Sequence, residues 1–503
     1  MAERELRAEL LNTLLTTPHR NLVALHPVHE SMIEQDPLFY VHLAAWYADH
    51  GTIRDHKELF VSMLSLSEFE GHRDAGLALL RRLPPYEVAR VVDFIKGREV
   101  TSERTAGRPR RGRKQEVEIV KERIGLFRNV PRSMKTEITH YLREREANEK
   151  SFDRAAMTAR NALKRLYAGL HIQPSERAQA VLFDDNPPED SLAFAVKQIA
   201  NADSPQKQAR AISDFKVPYR VASSIIGEMS PMVLAALIDV MTPQEVINNM
   251  GSLKQRGALE NPDLKSLIEG KLEKAKTDKR VSAYKAKVAV EAAEISGDLA
   301  EALDEVTDQQ VKTAGKITRP TALLIDKSGS MEHAIEVGKQ LGALISAICE
   351  AELHTYAFDT AAYTVKAKGV SLAEWEKALA GIKAAGGTSC GVAIQRMQRK
   401  QQRVEQIIMV TDEEENTPPR FQDAYRDYTE AMNVHPSLIF VKIGRAVNFL
   451  ERACYDLGVA PNVFEFRGDY YALPNVIPLL TYPSLTEMVT EILDYPLPKR
   501  KAS

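Results

Sequence analysis

Five residues in the last third of the chain have the side chains and spacing to hold a hard cation: Asp326, Ser328, Ser330, Thr388 and Asp412. The first three alternate along Asp326 Lys327 Ser328 Gly329 Ser330, directly after the apolar run Thr321 to Ile325. A run of that kind reads as a buried strand, and its carboxyl end is where open α/β sheets bind ligands. Thr388 follows Gly386 and Gly387, which let a backbone come close, and Asp412 follows Thr411 at the end of the apolar run Ile407 to Val410. Oxygen donors in this pattern suit magnesium, which demands near-octahedral geometry and gives up its waters reluctantly. One carboxylate among neutral hydroxyls leaves such an ion undercharged, so it would keep Lewis acidity for a carboxylate supplied by a partner.

Enzymatic readings of the same residues are weaker. An aspartyl nucleophile for phosphoryl transfer normally has a second acid two residues on, where this chain has Ser328. A serine hydrolase needs the Gly-x-Ser-x-Gly elbow, which is absent around these serines, and neither a Walker-type phosphate loop nor His-Glu-x-x-His occurs. Cys390 reads either as a redox-sensitive thiol or, more simply, as a small packed residue. Ser328 and Ser330, taken alone, could also cap the helix that follows.

Elements that would position these residues alternate strand and helix. Apolar runs at 321–325, 353–358, 407–410, 438–443 and 463–466 alternate with helical stretches at 332–350, 371–384, 391–403, 421–433, 446–457 and 484–494. Ala362 to Ala367 has a two-residue period and predicts an antiparallel edge strand. The pattern is that of a doubly wound sheet covered on both faces.

Residues 1 to about 290 read instead as helix after helix. Leu234, Ile238 and Met241, then Val246, Met250 and Leu253, recur at helical spacing. Asp36 Pro37, Ser204 Pro205, Ser230 Pro231 and Thr242 Pro243 each place a capping oxygen before a proline at the first helical position. No strand is expected in this half. Helix pairs that bury their apolar faces only against neighbours stack into an α-solenoid, here with no fixed period. The boundaries are set at 1–300 for the helical domain, 301–318 for the linker and 319–503 for the α/β domain.

With 503 residues, 44% of them hydrophobic and 27% charged, the chain has core enough for more than one domain. No uncharged apolar run is long enough to span a membrane, and Met1 to Glu5 lacks the basic-then-apolar start of an export signal. Three scattered cysteines exclude a disulfide framework. A cytoplasmic protein is expected. The net charge of −2 argues against wholesale coating of nucleic acid, so polyanion binding would need a local patch.

Two such patches exist in the sequence. Residues 101–135 hold eleven Lys or Arg against four Asp or Glu, with Arg108, Arg110, Arg111, Arg113 and Lys114 crowded around Pro109 and Gly112. That run fits a solvated loop, and it equally fits a mobile arm that grips phosphate. The second patch is a helix expected from Phe152 to His171, carrying Arg154, Arg160, Lys164 and Arg165 on one face and apolar residues on the other. His171 at its end reads as a cap on local grounds.

The motifs also resemble known families. The pattern Asp326-x-Ser328-x-Ser330, Thr388, Asp412 looks like the metal-ion-dependent adhesion site of a von Willebrand factor A domain. The helical half resembles the TROVE module of the Ro ribonucleoprotein family, most specifically at Leu170 to Ser175 and at Met241 Thr242 with Asn249 to Leu253. The order of the two modules is that of Ro proteins, bacterial members included. The resemblance implies a HEAT-like helical-repeat ring that binds Y-like small noncoding RNA on a basic outer surface. It implies passage of the 3′ ends of misfolded RNAs through the central hole, and a role in RNA quality control without catalysis. It places His171 at an RNA contact and sets Arg154 and Lys164 in the same basic helix. A 3′-to-5′ exoribonuclease partner, an acidic protein ligand at a divalent cation such as magnesium, and a monomeric state also follow from it. Lys327 departs from the small apolar residue common at its position and sets a cation beside the metal. The rival reading is a metal-dependent protein-protein adaptor whose helical half is only a scaffold.

Overall fold

The fold is seen in a computed structural model, which describes the chain apart from residues 1–6, 8–9, 12, 15–21, 52, 106–116, 279, 332–341, 343, 368–371, 444–447, 460, 467–475, 482–484 and 501–503. The first part is helical: α1 Leu22–Gln35, α2 Pro37–His50, α3 Arg54–Leu66, α4 His72–Leu80 and α5 Pro85–Lys96, then strands β1 Arg98–Thr105 and β2 Val117–Ile124. Next come α6 Arg132–Glu146, α7 Glu149–Thr158, α8 Arg160–Leu170, α9 Glu176–Leu182, α10 Leu192–Ala200, α11 Pro205–Phe215 and α12 Tyr219–Ala222. Helices α13 Pro231–Val240, α14 Pro243–Asn248, α15 Met250–Gln255, α16 Pro262–Ala275, α17 Ala283–Ala292 and α18 Asp298–Ala314 complete the series.

The proline-preceding caps form as the spacing predicts. Asp36, Ser204, Ser230 and Thr242 each accept a hydrogen bond from a backbone N–H in the first turn, and Thr242 with Glu245 closes a capping box. Each such cap stabilises its helix by about 1 kcal/mol. Between them the helices bury their periodic apolar faces, with Leu234, Ile238, Val246, Met250 and Leu253 at or near zero exposure.

Two expectations for this half are corrected. A two-stranded antiparallel hairpin, β1 with β2, interrupts the helices, pairing Arg98 with Ile124 through to Thr105 with Val117. Its charged residues concealed the strand period, because pairing here is satisfied by backbone bonds without a continuous apolar face. The expected helix from Phe152 to His171 is two, broken at Ala159, whose φ of −132° and ψ of 31° are not helical. The break lets α7 pack on α6, α9 and α10 while α8 packs on α5. The linker at 301–318, read from its Ala- and Glu-rich composition as a connecting helix, is occupied mostly by the helix α18.

The second architecture is a six-stranded sheet of β3 Thr321–Asp326, β4 Leu353–Phe358, β5 Ala362–Thr364, β6 Gln406–Thr411, β7 Ser437–Ile443 and β8 Asn462–Phe466, in the order β5-β4-β3-β6-β7-β8. All neighbours are parallel except β4 with β5, the edge pair expected from the alternation at 362–367. Helices α19 Leu372–Leu379, α20 Val392–Arg399, α21 Phe421–Met432, α22 Phe449–Asp456, α23 Val476–Thr481 and α24 Leu485–Asp494 accompany the strands. Of the stretch 332–350, residues 342 and 344–350 are described; 342 and 344–348 are helical, and the helix stops before Cys349, which is bridged to Ile317. Strands β3 and β6 are buried along their whole length, as an inner parallel strand requires.

By compactness the chain divides into two units, one of residues 19–227 with 492–503, the other of residues 228–491 with 1–18. No helix among the described residues is long and apolar enough to cross a membrane.

Candidate metal centre and nucleic-acid surface

The chain leaves β3 to build outward through β4 and β5, then returns to β6 on the other side. The crevice between the carboxyl ends of β3 and β6 is therefore a topological switch point. Asp326 ends β3 and is fully buried. One of its oxygens, Oδ1, accepts from the Ser328 N–H at 2.8 Å and the other, Oδ2, from the Thr411 hydroxyl at 2.7 Å. Burial pushes this carboxyl up to about 6, against the pull of those donors and with a further push from Asp412. Asp412 follows β6, is buried, and accepts from the Glu414 N–H at 3.2 Å.

Thr388 arrives on the glycine loop. Gly386 has φ +82°, which favours glycine, and a Cβ at Gly387 would lie 2.7 Å from Asn416 Oδ1, so a side chain there would displace that acceptor. The Thr388 N–H donates to Asn416 Oδ1 at 2.9 Å, while its carbonyl accepts from the Asn416 and Thr417 N–H groups at 3.0 and 2.9 Å. The Gly329 N–H donates to the Gly386 carbonyl at 3.2 Å, joining this loop to the Asp326 turn. Four of the five expected donors, Asp326, Ser328, Thr388 and Asp412, thus lie buried at connected loops on one sheet edge. Ser330 belongs to the turn Gly329–Met331, and its side chain lies outside the described residues.

The donor chemistry fits a hard cation. Among the described residues no basic side chain is hydrogen-bonded to Asp326 or Asp412, and no group of three or more His, Cys, Asp or Glu offers another metal site. Lys327, which sequence alone sets beside the ion, is otherwise engaged. Its ammonium pairs with Asp359 after β4 and lies 5.1 Å from the centre of the Tyr363 ring. Its backbone N–H donates to the Phe358 carbonyl at 2.8 Å and its carbonyl accepts from the Ala385 N–H at 2.9 Å.

Sequence reasoning missed Asp359, Asn416 and a buried ion pair. Lys442 on β7 lies 3.3 Å from Glu413, next to Asp412, and also contacts Glu451. A lysine within the apolar run Ser437–Ile443 was the available signal. Glu413 has φ +63° and is pushed to about 7 by burial, opposed chiefly by Lys442. Cys390 is fully buried, and burial with Glu415 and Asp326 holds its thiol well above the usual range, the behaviour of a packed residue.

In the helical part, His171 closes α8 in the left-handed region at φ +53° and is exposed. Its turn is held from several sides. Lys96 donates to the Gly169 carbonyl at 2.9 Å and Arg143 to the Gln173 carbonyl at 2.6 Å. Glu146 accepts from the Tyr167 hydroxyl at 2.7 Å and the Ser175 N–H at 3.1 Å. The other basic candidates divide. Arg154 on α7 is exposed. Arg160 donates to the last carbonyls of α9, Val181 at 3.0 Å and Leu182 at 2.5 Å. Lys164 lies 5.2 Å from the Phe183 ring centre, and Arg165 pairs with Asp93 at 2.6 Å. The residues Arg108, Arg110, Arg111, Arg113 and Lys114, between the paired ends of β1 and β2, lie outside the described residues.

No family model matches the sequence, and no curated protein matches it. Among solved structures, the Ro (RSR) protein of Deinococcus radiodurans aligns over 95% of this chain and 100% of its own, with a TM-score of 0.64 at 12% sequence identity. This chain has the Ro fold. A von Willebrand factor type A protein from Catenulispora acidiphila also aligns, over 35% of this chain and 43% of its own, at 21% identity and a TM-score of 0.25. The Ro fold accounts for both architectures in one chain, the helical series followed by the doubly wound sheet. Within the Ro fold of this chain, Leu170 to Ser175, the stretch of closest motif resemblance, is the braced turn that carries His171.

Proposed function

We propose that this protein is a noncatalytic RNA-binding protein of the Ro type, which takes a Y-like small noncoding RNA and the 3′ ends of misfolded or structured RNAs in RNA quality control or decay. The observation that carries this reading is the His171 turn. Lys96, Arg143 and Glu146 fix its backbone, leaving an exposed imidazole on a rigid support. A preorganised turn loses little conformational entropy on binding, and Arg154 on the preceding helix adds a cation suited to phosphate. Arg160, by contrast, serves α9, so the basic face contributes fewer contacts than its charge count suggests.

In the same proposal Asp326, Ser328, Ser330, Thr388 and Asp412 hold a magnesium ion, which supplies a Lewis-acidic coordination position for a carboxylate of an acidic protein ligand. A 3′-to-5′ exoribonuclease is a separate partner in this reading, and the protein acts in the cytoplasm as a monomer.

His171→Ala and Arg154→Ala are each expected to weaken binding of a stem-loop RNA several-fold with the thermal midpoint unchanged. Arg154→Ala should also lower the slope of log affinity against log salt by about 1, as loss of one phosphate contact does. Unchanged affinity in a gel-shift titration at fixed salt would sink the assignment. The adaptor reading predicts protein from its native source with no RNA, so the 260 to 280 nm absorbance ratio and sequencing of co-purified RNA separate the two.

A further inference from the structure

A cleft of about 280 Å³ opens among α2, α3 and the turn between α4 and α5, in the helical unit and apart from the His171 turn and the metal centre. That is close to the lower end of the roughly 300–1,000 Å³ that small-molecule sites span, a size for one compact ligand. Its floor is apolar. Ala44, Phe60, Val61, Leu79 and Leu83 are buried there, and the small side chains of Ala44 and Ala48 leave the space.

The walls are polar and ordered by sign. Glu87, the first acid of α5, lines the cleft with its side chain only 7% exposed. Its Oε1 lies 3.4 Å from Nε of Arg54, a side chain that is 64% exposed at the mouth. Lys57 donates to the Ala48 carbonyl at 3.2 Å, and Arg82 is held at the rim by Asp49. Burial raises the Glu87 carboxyl, and Arg54, Lys57 and Arg90 pull it back.

An apolar slot with a buried carboxylate inside and guanidinium groups at its mouth suits a ligand of three parts: a flat apolar body, adjacent N–H donors and an anion. A carboxylate accepts two parallel N–H donors. Among the bases only guanine offers two adjacent donors on one edge, N1–H and the 2-amino group. An acidic peptide would meet Glu87 as a like charge. We propose that this cleft binds a guanine nucleotide, with the base edge on Glu87 and the phosphate on Arg54, Arg82 adding charge at the rim. The ligand is a free nucleotide or a guanosine at an unpaired RNA end. The proposal does not depend on the Ro-type reading, since the first probe is a mononucleotide.

The test is calorimetric titration of the full-length protein with GMP, AMP, guanosine and inorganic phosphate. GMP should saturate one site per chain and bind at least about tenfold tighter than AMP, because AMP leaves one carboxylate oxygen unmatched. Glu87→Gln should erase the GMP over AMP preference. Arg82→Ala, at the rim and paired with Asp49 instead of Glu87, should weaken GMP while leaving guanosine unchanged. Ala48→Leu should fill the slot and abolish both. Competition of GMP with a short single-stranded RNA ending in guanosine assigns the ligand to RNA; saturation by GMP without competition assigns it to the free nucleotide. Absence of GMP saturation below about 1 mM, a range in which specific small-molecule sites normally fill, would overturn the proposal. So would equal affinity for GMP and AMP, the result expected of a general anion site.

Discussion

Asp326 is a buried carboxylate with no basic hydrogen-bond partner among the described residues. Both its oxygens accept hydrogen bonds, yet burial still raises its proton affinity, so under the proposed function a divalent cation would supply the compensating charge. Magnesium is therefore expected to raise the thermal midpoint of the wild-type chain by linkage, and Asp326→Asn should remove the increase. A magnesium titration followed by differential scanning calorimetry checks this, and an equal gain in the variant would exclude Asp326 as a ligand. Lys327 modifies the expectation drawn from sequence. Because its ammonium pairs with Asp359, Lys327→Ala should loosen the junction of the metal loops instead of freeing the ion from repulsion. The placing of Asp326, Ser328, Thr388 and Asp412 was legible in the sequence because strand, acid and hydroxyl spacing are local properties. The Lys327 pairing was not, because Asp359 reaches it only through the alignment of β3 beside β4.

At the scale of elements, α1 to α3 enclose a polar chain inside an apolar layer. His29 Nδ1 lies 2.8 Å from the Tyr40 hydroxyl, and its Nε2 lies 2.9 Å from His56 Nδ1. Burial first, then His56 and His26, hold His29 well below its usual value of 6.5. The unfolded chain therefore takes up this proton first as pH falls. The His29 contribution is fully present above pH 6.5 and is progressively lost below it. Glu58, pushed to about 7 mainly by burial, acts oppositely: its contribution is present at low pH and is lost as pH rises toward that value. The comparison with His29→Gln isolates the histidine. The wild-type urea midpoint should fall more between pH 7.5 and 5.5 than that of the variant, and parallel slopes would refute the assignment. Arg160 gives a second test. Arg160→Ala leaves the Val181 and Leu182 carbonyls without their side-chain donor and should cost about 1–3 kcal/mol. Urea unfolding measures it, and a change below about 0.5 kcal/mol, the level of an unimportant surface site, would show that the cap is dispensable.

For the molecule as a whole, the helical unit of residues 19–227 recruits the distant segment 492–503. The Tyr495 carbonyl accepts from His42 at 2.8 Å, its hydroxyl donates to Asp49 at 2.8 Å, and Arg500 pairs with Glu137 at 2.6 Å. A chain ended at Asp494 should unfold at a lower temperature, by roughly 2–4 °C for each kcal/mol lost from a unit of this size. Hydrogen exchange should then quicken in α2, which carries His42 and Asp49. An unchanged midpoint with unchanged exchange would mean that the segment only rests on the surface.

The sequence by itself determined the two architectures, the proline-preceded caps and the placing of Asp326, Ser328, Thr388 and Asp412 at strand ends and the glycine loop, since each depends on residue type and short-range spacing. Tertiary structure decided which charged groups are available. Arg160, Lys164 and Arg165 share a helix with the His171 turn, but partners at Val181, Phe183 and Asp93 engage them. Long side chains are claimed by whatever acceptor folding brings within reach, and no period along the chain records that. The same holds for the hairpin β1 with β2 and for the cleft at Glu87. Strand pairing and cavity walls are made between segments, so their physical cause appears only once the segments have met.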